Sequence, residues 1–359
     1  MLQFDAEVQT ATFHSPLEEF EPVDVDVDVR EDPLTGRQCR IVPESFPVPD
    51  ETPDISAAIG DAEGCFFCPG TVEEATPTYP DWMGVDRGSV GEATSFPNLN
   101  PYGAHSNVVA LTDEHFVPID GFTVDQFADG FAAALEFVHG AFEHDEAAAL
   151  ASINMNYLRP AGSSIVHPHV QAIVDDRGTN EQALRIEPAR AYYDANGSSY
   201  YADLVAAERG ADDAPATAGR GPDPDRHVGA TGDGAANGDA QGRVDWHAPF
   251  APRHNYHLQG IAADAAVPPA DPADPTVRGI AEGVTNALSY YAEVGLNSFN
   301  LAVHLVPDEP AVPPVVDVVA RAVFDDYYLS DASFFTAIHD EGVVDVAPEA
   351  YGPEAAGAF

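Results

Sequence analysis

Apolar and polar positions along the chain predict one run of strand, helix and strand, followed by a second. In the first run, residues 107–111 and residues 149–157 have the pattern of strands. Between them, apolar side chains recur every three or four residues, at Phe127, Phe131, Leu135, Val138 and Phe142. That spacing is typical of an amphipathic helix packed against a sheet.

The second half of the chain shows the same order of elements. Residues 256–262 and 299–304 have strand patterns, and the helical spacing returns at Val277, Ile280, Val284, Leu288 and Tyr291. Residues 315–324 then stand where a further strand is expected, and they contain no histidine. The repetition predicts a duplicated α+β unit.

Two acidic stretches interrupt this pattern. The first 28 residues contain Val alternating with Asp, which predicts either an edge strand or a mobile extension. Residues 210–243 are rich in Gly, Ala and Asp, so we expect a mobile acidic insertion there. The chain therefore divides into an extension (1–28), a first unit (29–178), a second unit that contains the insertion (179–345) and a tail (346–359).

Two histidines and a glutamine alternate within residues 163–174, after the first run of elements. His167, His169 and Gln171 would project from one face of a strand, because alternate side chains of a strand share a face. Pro168 suits the entrance of that strand, since it cannot donate a ladder hydrogen bond. A neutral imidazole can attack phosphorus, and a glutamine can donate to phosphoryl oxygens without adding charge. A pair of structural histidines is the alternative interpretation.

The chain contains three cysteines, Cys39, Cys65 and Cys68. An odd count with one close pair favours a reducing, cytoplasmic compartment over a disulfide framework. Two thiolates separated by two residues can chelate one tetrahedral Zn²⁺. A redox pair is the alternative, but such a pair usually opens a helix, whereas Cys68, Pro69 and Gly70 predict a turn.

Composition narrows the classes of function. The chain has 359 residues, a formal net charge of −45 and 15 basic residues, all of them arginine, which excludes nucleic-acid binding through a basic patch. Hydrophobic residues make up 45% of the chain, so we expect a folded protein adapted to concentrated salt rather than a disordered one. Residues 1–5 lack the basic start and apolar run of a signal peptide, and no stretch approaches the length of a membrane span.

The segment from Asn156 to Gln171 resembles the active-site segment of galactose-1-phosphate uridylyltransferases, which belong to the histidine-triad superfamily. The resemblance covers most of residues 30–345 outside the insertion. It implies an α+β fold of two tandem histidine-triad-like units, each an antiparallel sheet with packed helices, of which the first is catalytic and the second degenerate.

The resemblance also implies roles for single residues. His169 matches the nucleophile that carries the nucleotide, and Gln171 matches the residue that holds the phosphoryl oxygens. Asn156 and Ser164 fall on positions that contact the phosphates. Asn98 lies in a segment that resembles the one with a ribose-binding asparagine, although a plain turn explains that segment equally well.

The same resemblance completes a metal site. His115 and His167 match the third and fourth ligand positions beside Cys65 and Cys68, which implies a structural zinc ion with four protein ligands. His304 matches one ligand of a second metal site found in some members. Its partner positions hold Arg321 and Val323, which bind metals poorly, so we expect no second metal and expect His304 to be structural or a substrate contact.

The implied function is exchange between UDP-glucose and galactose 1-phosphate by double displacement, through a uridylyl-histidine intermediate. The expected partners are a nucleotide sugar and a sugar 1-phosphate, without nucleic acid or membrane, and a homodimer is an open alternative to a monomer. Residues 44–48 contain none of the arginines that usually grip phosphate in the family. A related nucleotide-sugar or dinucleotide phosphorylase or adenylyltransferase therefore stays open. A zinc-stabilised nucleotide-binding protein without turnover is the third interpretation.

Overall fold

The protein is described here from a computed structural model, which covers residues 2–42, 53–212, 242–269, 273–325, 328 and 330–359. The arginine-free stretch at residues 44–48 and most of the expected insertion at 210–243 lie outside these residues. At the amino-terminal end of that insertion, residues 210–212 belong to a helix.

Thirteen strands and seven α-helices make up the described part of the chain. The strands are β1 Asp5–His14, β2 Pro22–Glu31, β3 Gln38–Ile41, β4 Gly88–Val90, β5 Ala93–Pro97, β6 His105–Ala110, β7 Leu150–Tyr157, β8 His169–Asp175, β9 Asp245–His247, β10 Leu258–Ile261, β11 Phe299–Leu305, β12 Val315–Ala320 and β13 Gly342–Val344. The helices are α1 Ser56–Ile59, α2 Val72–Ala75, α3 Val124–His144, α4 Asn180–Asn196, α5 Tyr200–Asp212, α6 Pro275–Glu293 and α7 Pro348–Ala356.

Nine strands form one large sheet in the order β4-β5-β6-β8-β7-β11-β12-β10-β9. The order β6-β8-β7 on one side is mirrored by β10-β12-β11 on the other, and each half contributes one long helix between equivalent strands. The predicted duplicated α+β fold is therefore confirmed. The two halves do not build separate sheets, because β7 and β11 pair antiparallel from Phe299 opposite Tyr157 to Leu305 opposite Ala151.

The two long helices cover one face of this sheet. α3 begins at a capping box, in which Thr123 and Gln126 each bond the backbone of the other, and α6 begins with Asp274 as its N-cap. Their apolar stripes pack together with the side chains of β7 and β8 that point the same way, among them Ile153 and Val170. The largest hydrophobic cluster lies between these two helices and the sheet, and the opposite face of the central strands carries polar side chains.

A smaller four-stranded sheet has the order β1-β2-β3-β13. β1 is its exposed edge, and β2, which contains the alternating Val and Asp residues, lies between β1 and β3. The expected boundary at residue 28 thus falls inside β2. β13 joins the sheet parallel to β3, which ties the end of the second unit to the start of the first.

None of the helices in the described ranges has the length and apolar character needed to cross a membrane. The three cysteines are free thiols.

Candidate active site and metal centre

Four side chains from three separate segments of the first unit meet in one cluster: Cys65, Cys68, His115 and His167. Their ligand atoms all lie within 4.8 Å of one another. The Cys68 sulfur is 3.5 Å from Nδ1 of His115 and 3.5 Å from Nδ1 of His167. Around a tetrahedral metal with ordinary Zn–S and Zn–N bond lengths, sulfur and nitrogen ligands would be about 3.6 Å apart. This Cys₂His₂ cluster can therefore hold one metal ion.

The tautomer of His167 fits that use. Its Nε2 lies 2.8 Å from the carbonyl oxygen of Thr112, so Nε2 carries the hydrogen and donates it. Nδ1, which faces the cysteine sulfurs, is then left with its lone pair. A hydrogen bond on the far side of a ligand histidine is the usual way in which proteins orient such a ring.

His169 is the first residue of β8, and its ring orientation is also fixed by a backbone oxygen. Nδ1 donates to the carbonyl oxygen of His167 over 2.8 Å, which leaves Nε2 as the unprotonated nitrogen of the neutral ring. Burial lowers the pKa of His169, and its side chain is 8% exposed. The strand begins directly after Pro168, so His167, which was expected on the strand face, precedes it, and the metal cluster lies at its entrance.

The ring of Phe67, between the two cysteines, packs against His169. The ring centroids are 5.3 Å apart at an interplanar angle of 70°, and Phe67 also meets His167 edge-on at 6.1 Å. The cysteine loop therefore supports the His169 ring from one side while it supplies two ligands of the cluster.

Polar side chains continue from His169 across the open face of the sheet. β7 and β8 pair so that Asn154 lies opposite Gln171, and the same register places Asn156 opposite His169. Gln171 is half-buried and its side chain makes no hydrogen bond within the described residues. Asn156 is exposed.

Ser164 lies in the turn that leads into β8. The turn is entered through Gly162, whose φ of 90° favours glycine, and Ser164 is exposed two residues later. Arg159, at the start of the same turn, stacks its guanidinium over the ring of Phe324 at 5.8 Å.

Asn98 follows β5 at the outer side of the first unit. Its Oδ1 accepts from the backbone N–H of Asn100, which is the geometry of a turn. Its Nδ2 is buried and has no protein partner among the described residues. The turn and a free donor are thus both present at this position.

The second unit holds a different polar cluster on the same face. Asp317 on β12 accepts from Nε2 of His257 and Nε2 of His304, each over 3.0 Å, and from Gln259 and Arg185, each over 2.8 Å. His304 is therefore bonded inside the protein, as expected for its structural alternative.

One carboxylate joins three arginines beside this cluster. Glu181 on α4 pairs with Arg37 and Arg185, each over 2.8 Å, and with Arg253. Burial alone would raise the pKa of Glu181, but the three guanidinium groups outweigh it and lower that pKa to about 2. The contact links α4 to the turn before β3 and to the segment after β9.

Sequence reasoning brought together the four metal-binding candidates and His169, but it missed several neighbours. Thr112 acts through its backbone oxygen, which leaves no trace in the sequence. Phe67 was visible only as a residue between two cysteines. Asn300 on β11 lies directly opposite Asn156. The signal that could have identified it is that β7 and β11 occupy equivalent places in the two repeated units.

Comparison of the sequence with known proteins finds a relative that matches most of the chain. A protein of Archaeoglobus fulgidus described as uncharacterized is 32% identical over 332 residues, which cover 91% of this chain and 91% of that protein. No family model matches the chain.

Three solved structures share the fold at about 15% identity, each over 92% of this chain. An ADP-glucose phosphorylase from Arabidopsis thaliana with bound ADP-glucose has a TM-score of 0.64 over 98% of its chain. A GalT-like protein from the same plant has a TM-score of 0.61 over 97% of its chain, and a uridylyltransferase one of 0.59 over 96%.

Proposed function

This chain belongs to the same family as the uncharacterized Archaeoglobus fulgidus protein and has a GalT-like fold, and from these two facts we propose that it is a nucleotidyltransferase that works through His169. The observation that carries the proposal is the His169 ring itself. Its Nδ1 is committed to the carbonyl oxygen of His167, so the lone pair of Nε2 is available for attack. Nδ1 of His167 faces two cysteine sulfurs instead, so the two histidines have different tasks.

The reaction proceeds in two displacements. Nε2 of His169 attacks the α-phosphorus of a nucleoside diphosphate sugar; the P–N bond forms and the P–O bond to the sugar phosphate breaks, so that sugar 1-phosphate leaves. A phosphate oxygen of the second sugar 1-phosphate then attacks the same phosphorus, and the P–N bond breaks. Splitting the transfer in this way is covalent catalysis and predicts ping-pong kinetics.

Uncharged donors around His169 hold the phosphoryl oxygens while charge develops on them. Gln171, Asn156 and Ser164 fill this role together with backbone N–H groups of the turn before β8. Asn98 binds the ribose through Nδ2, the buried donor that has no protein partner in the described chain. Zinc is the metal of the Cys₂His₂ cluster, where four protein ligands leave no open position, so its role is to stabilise the entrance of β8.

The substrates are UDP-glucose and a hexose 1-phosphate. A phosphorylase that uses inorganic phosphate as acceptor is the second candidate, because residues 44–48 lack the expected arginines and one protein of the same fold is an ADP-glucose phosphorylase. Both candidates use His169 in the same way, and they differ only in the nucleobase of the substrate and in the acceptor of the nucleotidyl group.

Mass spectrometry of the trapped intermediate tests the proposal. The protein is mixed in molar KCl with UDP-glucose or ADP-glucose without acceptor, and peptide fragmentation locates the adduct. We expect a nucleotidyl group on His169, released by galactose 1-phosphate or by inorganic phosphate, whichever is the acceptor. Binding of the nucleotide sugar without any adduct would favour the non-catalytic alternative.

His169→Gly should abolish transfer while the protein still folds and keeps its metal. His14→Gly, on the exposed strand β1, is the matched control and should keep full activity. An adduct on His167, or rapid transfer by the His169→Gly protein, would overturn the proposal.

A further inference from the structure

Three hydrogen-bonded side chains, those of Arg321, Asn300 and Asn156, link the second unit to the position opposite His169. Asn156 on β7 and Asn300 on β11 face each other across the junction of the two units. Arg321, just after β12, lies next to Asn300 on the same open face. Neighbouring strands are about 4.8 Å apart, so this hydrogen-bonded series runs from the nucleophile towards the second unit in steps of one strand.

The hydrogen bonds of this series all run from donor to acceptor in the direction from Arg321 to Asn156. Nη1 of Arg321 donates to Oδ1 of Asn300 over 2.6 Å. Nδ2 of Asn300 donates to Oδ1 of Asn156 over 2.7 Å and to the carbonyl oxygen of Ala161 over 2.9 Å. Nδ2 of Asn156 has no hydrogen-bond partner within the described residues, and this side chain is exposed.

The order of donors and acceptors follows from chemistry. A guanidinium group can only donate, so it must meet the oxygen of the Asn300 amide. The amide nitrogen of Asn300 then points at two oxygens, and a backbone carbonyl can only accept. Asn156 must therefore turn its oxygen towards Asn300 and its NH₂ group outwards.

Arg321 is itself held firmly. Its Nε donates to Asp331 over 2.7 Å, Nη2 meets the other oxygen of the same carboxylate, and the backbone N–H of Ala322 donates to Asp331 over 3.0 Å. The carboxylate is satisfied on both oxygens, which leaves Nη1 of Arg321 directed at Asn300. Burial would raise the pKa of Asp331, but the hydrogen bond and charge of Arg321 lower it, so this carboxylate stays ionised near neutral pH.

We propose that Arg321 and Asn300 are positioning residues that fix the amide of Asn156 with its NH₂ group towards the substrate phosphate. The proposal rests on the proposed function, because it needs a phosphate beside His169. An amide turned the other way would place an oxygen against the phosphate oxygens, which repel it. The second unit, which lacks the catalytic histidine, thus decides whether the first unit offers a donor or an acceptor at this place.

Asn300→Asp tests the donor-to-acceptor order of these hydrogen bonds with almost no change in the shape of the side chain. The carboxylate accepts from Arg321 as before, but it has no hydrogen to give, so Asn156 should turn its NH₂ group towards residue 300 and present its oxygen to the substrate. A hydrogen bond to a charged group is worth roughly 1.5–3 kcal/mol, so we expect the Kd of the nucleotide sugar to rise about 10- to 150-fold. Asn196→Asp, the same chemical change at the end of α4, should leave it unaltered.

The effect of the added charge on Kd must be distinguished from the effect of the lost hydrogen-bond donor. Titrations in 1 M KCl reduce the Debye length to about 3 Å, which weakens repulsion between the new carboxylate and the phosphate. A second series introduces Asn300→Asp into an Asn156→Ala protein. If Asn300 acts through Asn156, adding Asn300→Asp to the Asn156→Ala protein should raise Kd less than twofold. Simple repulsion or a general structural defect would instead raise Kd by the same factor as Asn300→Asp does in the otherwise unchanged protein.

The orientation has its own readout, independent of turnover. In the unchanged protein, the side-chain NH₂ of Asn156 should exchange rapidly with solvent, as seen by NMR of amide-labelled protein, and in Asn300→Asp its exchange should slow. If the unchanged protein forms no adduct on His169, the proposed function fails, yet this exchange measurement still tests the positioning. Unchanged Kd and unchanged exchange in a folded Asn300→Asp protein would overturn the inference. Should that variant not fold, Asn300→Leu, which removes the hydrogen bonds to Arg321, Asn156 and Ala161, must raise Kd and make the Asn156 signals heterogeneous. Unaltered values would count against the inference.

Discussion

Glu181→Gln should cost the protein a large part of its stability at neutral pH. The side chain is 11% exposed and is shared by Arg37, Arg185 and Arg253, whereas the amide that replaces it carries no charge. Arg185 keeps its second partner, Asp317, so the main loss is the attraction between one buried carboxylate and three guanidinium groups.

The size of the effect follows from the pKa of Glu181. It lies at about 2 in the folded protein against 4.5 for the ordinary group, and each pKa unit is worth about 1.36 kcal/mol. The ionised carboxylate therefore contributes about 3 kcal/mol to the free energy of unfolding. Because the folded pKa is the lower one, this contribution is complete above pH 4.5 and is lost as the pH falls towards 2.

Urea unfolding at constant molar KCl, followed by fluorescence of Trp82 and Trp246, measures this difference. Glu181→Gln should unfold about 3 kcal/mol more easily than the unchanged protein at pH 7, and the gap should narrow below pH 4.5. Asp125→Asn is the matched control, because Asp125 and its partner Arg278 are 78% and 57% exposed. Such a surface pair should change the free energy of unfolding by less than about 1 kcal/mol.

Two results would refute this reasoning. Equal stability of Glu181→Gln and the unchanged protein at pH 7 would mean that burial of the charges offsets their attraction. A gap that stays constant from pH 7 to pH 3.5 would mean that the substitution acts through packing and not through ionisation.

Two further predictions concern the metal and the salt dependence. The protein should contain about one zinc ion per chain, and Cys65→Ser should lower metal content and melting temperature together, since metal-binding energy is folding energy; full zinc retention after substitution of both Cys65 and Cys68 would rule the cluster out. Stability and activity should rise from dilute buffer to molar salt because of the net charge of −45, and a protein that is equally stable in both would contradict the inferred salt adaptation.

The sequence predicted best what depends on neighbours along the chain. The apolar stripes of α3 and α6 follow from a helical period within about 20 residues, and both helices lie where the stripes place them. The histidine stretch and the close cysteine pair are local motifs too, and His167 meets Cys65 and Cys68 in the structure. His115, the fourth member of that cluster, was placed there by the family resemblance alone.

What the sequence left out depends on strand pairing between distant segments. Asn300 becomes relevant only because β11 lies beside β7, and Glu181 only because two arginines far away in the chain, Arg37 and Arg253, converge on it. His167 was placed on the face of β8 but precedes the strand, because alternation of polar residues marks a face but not the position at which ladder pairing begins.

The central pairing of β7 with β11 has a consequence for how the chain reaches this state. Tyr157 and Phe299 are paired across the junction, and about 140 residues separate them. At the usual synthesis rate of about 5–20 residues per second, β7 waits roughly 7–28 s for its partner strand to be made. During that time the first unit carries an unpaired strand edge, which is the kind of surface that draws other chains into aggregates. The vulnerable moment for this protein is therefore translation, before its second half exists.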